Sequence, residues 1–175
     1  MDSNSDWPAL EKDDEGLKKD LEQLLAASVS GDPYGADGSF ARSIAQLPPG
    51  LKAMAATHWL DISLTLDSIT WHFGNFGEPG LVAETEAGLR ELGLDELVQC
   101  FVEARDLMVP ILAKRTAADG DPYEILEHAR LREQGEKIDR RARAADNLKP
   151  HESVIYAAWI RYTRQYPERV FGPAK

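Results

Sequence analysis

The stretch "LKAMAATHWLDISLTLDSITWHF", Leu51 to Phe73, decides how the rest of the chain is read. Leu51, Met54, His58, Ile62, Leu66, Ile69 and Phe73 step by three or four residues over about six turns, the spacing of one face of an α-helix. Trp59, Leu60, Leu64 and Trp71 add apolar surface on other faces. A helix that is apolar on several sides belongs inside its domain, so the pattern predicts a long central apolar helix. Gly74, tolerant of left-handed geometry, is expected to end it.

Helical spacing continues outward on both sides. Toward the N-terminus, Leu10, Leu17, Leu21, Leu24 and Leu25 recur with charges between them. The loop "SGDPYGADGS" follows, then a short helix with Phe40, Ile44 and Leu47, stopped by Pro48 and Pro49. Toward the C-terminus, Pro79 and Gly80 open a helix with Leu81, Thr85, Leu89 and Leu92 on one face and Gly93 as its C′ residue. "LDELVQCFVEARDLMVPILAKR" reads as a helix with Leu97, Phe101 and Leu107 inward, kinked or broken near Pro110. Asp121, Pro122 and Glu124 give a start signal for a highly charged surface helix. Pro150 is expected to start the last helix, which buries Val154, Ile155, Ala158, Trp159 and Tyr162. No strand alternation stands out. The expected fold is all-α: a single-domain multi-helix bundle over residues 9–175, behind a flexible N-terminus of residues 1–8.

Cys100 is the only cysteine, which excludes an intrachain disulfide and fits a reducing compartment. The acidic start "MDSNSDWPALEKDDEG" has neither the basic nor the apolar region of a secretory signal. No apolar run approaches the roughly 20 residues that a membrane span needs. A cytoplasmic location and no membrane partner are the corresponding expectations.

The net charge of −10 is uneven. Residues 1–106 hold 20 acids and 7 bases, a net of −13, and residues 107–175 hold 10 acids and 13 bases, a net of +3. Duplex binding relies on Lys and Arg to neutralise phosphates, so direct contact with nucleic acid is not expected. The asymmetry favours a basic protein partner, or self-association of unlike ends as a homodimer.

The chemistry-bearing residues form no catalytic signature. Gly74, Gly77 and Gly80 follow a helix rather than a strand and have Phe76 and Pro79 between them, unlike a dinucleotide loop. Trp71, Phe73, Asn75 and Gly77 instead read as a structural corner between two helices. His58 with Asp61, and Glu124 with His128, have spacings that put ligands on one helix face. Neither an HExxH nor a CxxC pattern accompanies them, so no metal or other cofactor is expected. Cys100 lies near Asp95, Glu96 and Glu103, and nearby acids oppose thiolate formation.

The carboxylates remain. Asp13, Asp14 and Glu15 form a run; Glu84 and Glu91 share one flank of their helix and Glu86 takes the other; Asp95 and Glu96 begin the next helix. Together these eight are candidate partner-binding residues. Carboxylates on adjacent helix turns lie about 5–6 Å apart at Cβ, a spacing comparable with the few-ångström repeat of charge along DNA.

Ile69, Phe73, Asn75 and Gly77, followed by "AETEAGLRELGLDELVQCF" and the C-terminal "WIRYTRQYPERVF", make the chain resemble a bacterial DNA-mimic-protein family. The resemblance implies an all-helical, often dimeric domain without catalytic residues that presents acidic groups to DNA-binding regulators. The resulting expectation is a non-enzymatic acidic binding protein that engages a basic transcription regulator in place of DNA. An immunity or toxin-neutralising protein, and a metal-dependent enzyme built in a helical bundle, are the alternatives.

Overall fold

The computed structural model describes residues 7–115, 129–149 and 152–172. A 3-10 turn (Pro8–Glu11) leads into α1 (Asp14–Ser28) and α2 (Ser39–Ile44). Then come α3 (Pro49–Leu66), α4 (Ile69–Phe76), α5 (Pro79–Glu91) and α6 (Asp95–Arg115). After residues 116–128, α7 (Ala129–Asp146) runs into β1 (Asn147–Lys149), which pairs antiparallel with β2 (Glu152–Ser153). The chain closes with α8 (Val154–Gln165) and α9 (Glu168–Phe171). The fold is all-helical apart from this short ladder. Among the described residues, no helix is long and apolar enough to cross a membrane.

The expected continuous helix from Leu51 to Phe73 is two helices. The chain breaks at Asp67, whose φ of −146° and ψ of −105° leave the helical region. Three contacts hold the break. The Ser68 hydroxyl accepts the Trp71 N–H at 3.2 Å, as an N-cap does. Asp139 of α7 accepts the Thr70 N–H at 3.2 Å and the Thr70 hydroxyl at 3.1 Å. Arg143 donates to the Asp67 carbonyl. Leu66, read as part of the apolar stripe, is 80% exposed at the corner. The spacing persists across the break because α4 starts a new buried face with Ile69, Phe73 and Phe76. Gly74 does not end α4, which runs on to Phe76 with Gly77 as C-cap.

α6 continues through Pro110, so of the expected kink or break the structure excludes the break. One other boundary differs from expectation. The last helix starts at Val154 rather than Pro150, because the Ser153 hydroxyl accepts the Ile155 and Tyr156 N–H groups and sets the start there. Pro150 and the expected start at Asp121, Pro122 and Glu124 lie outside the described residues. At the end of α5, Gly93 does take a left-handed φ of 70°. Gly93 N–H bonds to the Arg90 carbonyl and Leu94 N–H to the Leu89 carbonyl, the paired bonds of a Schellman motif.

α3 packs against α1, α2, α4, α5, α7, α8 and α9, while α6 packs against α4, α5 and α7. Its buried side chains are mostly small or aliphatic: Ala53, Met54, Ala55, Ala56, Leu60 and Leu64. Small residues let the α3 and α5 backbones approach closely. A Cβ on Gly88 would sit 3.0 Å from the Ala53 carbonyl oxygen and 3.1 Å from its Cα. Polar groups in this region are satisfied locally. Thr85 donates to the Leu81 carbonyl at 2.8 Å, Thr57 donates to the Ala53 carbonyl at 2.8 Å, and Trp159 donates its indole N–H to Thr57 at 3.0 Å. Cys100 is fully buried on α6, and burial pushes its thiol pKa up.

Gly88→Ala weighs two effects. Helix propensity favours Ala by up to about 1 kcal/mol. Overpacking against an unyielding backbone costs about 1–3 kcal/mol. The second dominates at this site, so the variant is expected to melt below the wild type in a thermal unfolding scan.

Candidate functional site

The eight predicted acidic residues do not act as one free array. Asp13 is the N-cap of α1, accepting the Gly16 N–H at 2.9 Å. Asp14 pairs with Arg164 of α8 at 2.6 Å. Glu84 pairs with Lys52 of α3 at 3.2 Å, and Glu91 with Arg169 of α9 at 2.9 Å while also accepting the Tyr162 hydroxyl. Glu86 lies against Arg90, at 2.7 Å, and Arg105 of α6. Glu15, Asp95 and Glu96 are exposed and make no salt bridge to another described residue. Four of the eight therefore meet cations of the same chain.

The corner residues are brought together only in part. Phe73 is buried and stacks on Phe101 of α6 with ring centroids 4.9 Å apart. Gly77 caps α4, Trp71 is half-buried and Asn75 points outward. His72, beside them, is fully buried. Ser63 gives its proton to the Trp59 carbonyl at 2.9 Å, so His72 Nδ1 is assigned as the donor to Ser63 at 3.0 Å. Its Nε2 has no hydrogen-bond partner among the described residues, and desolvation pushes its pKa down to about 3.

A cleft of about 1420 Å³ lies where α1, α3, α7 and α8 meet. Its floor holds Asp61 of α3 and Asp146 at the end of α7, 5% and 2% exposed. Between them stands Ser153. Its hydroxyl donates to Asp61 and lies 3.4 Å from Asp146, while its oxygen caps α8. The Val154 and Ile155 backbone amides at the same helix N-terminus favour the charged form of Asp146. Burial, followed by the charge of Asp61, nonetheless pushes Asp146 up to about 6. Burial raises Asp61 as well, against the Ser153 bond and the charge of His58.

The wall of the cleft carries Tyr156. Lys18 lies 3.9 Å above the ring centroid of Tyr156, and the Tyr156 hydroxyl is 3.2 Å from His58 Nδ1. Burial lowers the His58 pKa, opposed by Asp61 and Glu22. Arg143, Arg161 and Arg164 complete the rim, each tied to the chain: Arg143 to the Asp67 carbonyl, Arg161 to the Leu92 carbonyl at 3.2 Å, Arg164 to Asp14.

His58 and Asp61, singled out by spacing, thus serve this polar junction. Among the described residues, no three His, Cys, Asp or Glu side chains form a metal-holding group. Glu124 and His128 lie outside the described residues. Sequence reasoning missed Asp146, Ser153 and Tyr156. The available signal was Ser153, an N-cap residue type directly before the apolar run of α8. No family model matches the chain, and neither a curated protein nor a solved structure matches it.

A carboxyl whose pKa is raised on folding adds stability below its unfolded value and loses it as pH rises through the folded value. For Asp146 that window runs from 3.8 to about 6. At 1.36 kcal/mol per unit the loss is at most about 3 kcal/mol. Asp146→Asn is expected to remove it. In urea unfolding, the stability of the variant relative to wild type should rise between pH 4 and pH 7 by up to about this amount.

Proposed function

We propose that the protein is a non-enzymatic binding protein for a basic polypeptide, which it receives in the α1–α3–α7–α8 cleft rather than on a DNA-like array of carboxylates. The observation that carries this reading is the buried Asp61–Ser153–Asp146 junction at the cleft floor. Two carboxyls held together in low dielectric favour the approach of a cation, which removes their mutual repulsion. The cleft volume of about 1420 Å³ exceeds the roughly 300–1,000 Å³ usual for small-molecule sites and suits a stretch of chain. Lys18 and the rim arginines offer positions for a backbone carbonyl or an acidic side chain beside the inserted Lys or Arg. Ser153 is a poor nucleophile here, because its proton is given to Asp61 and its oxygen to two amides.

The acidity of residues 1–106 is a second and weaker support for a basic partner, and a DNA-binding regulator is its natural class. The mimic form of that reading is weakened by the pairing of Asp14, Glu84, Glu86 and Glu91 with cations of the same chain.

An arginine-rich peptide titrated into the protein, followed by intrinsic fluorescence, tests the proposal. Affinity is expected to strengthen as pH rises through about 6, where Asp146 ionises, and to weaken with added salt. Binding should vanish in the Asp61→Asn/Asp146→Asn double variant and survive in Asp95→Asn/Glu96→Gln. The reverse pattern returns the site to the acidic surface.

A further inference from the structure

The Asp61–Ser153–Asp146 junction joins α3, the end of α7 and the start of α8, with both carboxyls buried. We propose that this junction is a proton-operated latch: one proton shared by the two carboxyls holds the end of α7 and the start of α8 against α3, and its loss releases them and widens the cleft. Donor supply at the junction is limiting. Ser153 has a single hydroxyl proton and presents it to Asp61, leaving Asp146 at 3.4 Å. One proton on the carboxyl pair, in addition to that of Ser153, supplies the donor that lets both carboxyls stay at the junction. Without it, two negative charges share the cleft floor at low exposure, and in the free protein their repulsion favours separation.

The groups facing the pair do not cancel that repulsion. From α1, Lys18 and Glu22 act on Asp61 with opposite sign. From α3, His58 offers partial compensation, but burial keeps its pKa low and so favours the neutral ring. From α8, Tyr156 holds its proton, because burial raises its pKa. On α7 itself, Arg143 turns to the Asp67 carbonyl. The backbone amides at the α8 N-terminus favour the charged form of Asp146 and oppose its burial only in part.

The latch rests on geometry of the free protein and needs no peptide, so its test is independent of whether the cleft binds one. Amide hydrogen exchange is followed by mass spectrometry from pH 4 to pH 7, with rates corrected for intrinsic pH dependence. Protection of residues 154–158 and 142–146 is expected to fall about tenfold per pH unit between about 4 and 6, the slope of one linked proton. The amides of α3 and α5 should hold their protection. In Asp146→Asn the slope should disappear, and Asp61→Asn is read to the same standard if the first variant does not fold. A flat wild-type profile overturns the latch. So does a uniform fall over all helices, or an unchanged slope in the variants.

Discussion

Gly88 and Ala53 bring two backbones into contact, and the arrangement around α3 depends on that approach. With no side chain at Gly88, α5 settles onto α3 closely enough for Thr85 to reach the Ala56 carbonyl across the interface at 3.2 Å. On another side, Thr57 returns its proton to its own helix and accepts the indole of Trp159 from α8. Threonines that bond back to a carbonyl one turn earlier bring polar atoms into a packed interior without leaving them unpaired. Such bonds let α3 sit among many neighbours although it is built mainly of alanine, leucine and methionine on those faces.

Much of this was legible from spacing. The α5 face of Leu81, Thr85 and Leu89, the Gly93 terminus and the apolar run of α8 are all local patterns that packing did not override. The break at Asp67–Ser68 was harder to read, because apolar residues recur across it at helical intervals. What decides there is a capping serine together with Asp139, which arrives from 69 positions later. Periodicity carries no information about a partner so distant. The same limit hid the cleft. Asp61 stood out only by its spacing with His58, and its companions Asp146 and Ser153 join it only through the packing of α7 and α8.

Charge asymmetry along a chain says little about charge asymmetry in space. The acid-rich first part and the base-rich last part fold onto one another. Arg164 meets Asp14, Arg169 meets Glu91, and Arg141 meets Glu103 at 2.6 Å. Exposed pairs of this kind contribute roughly 0–1 kcal/mol each. Their larger effect is to blunt a field that the sequence alone would suggest. At the bottom of the cleft, Asp61 and Asp146 are buried carboxyls with no salt bridge to another described residue.

Cys100 has a practical consequence. It is the only thiol in the chain, sealed within α6 and held in its protonated form by its surroundings. A thiol-reactive reagent therefore meets it only when that part of the interior opens. The modification rate gives a covalent record of those openings, with no second cysteine to confuse the signal.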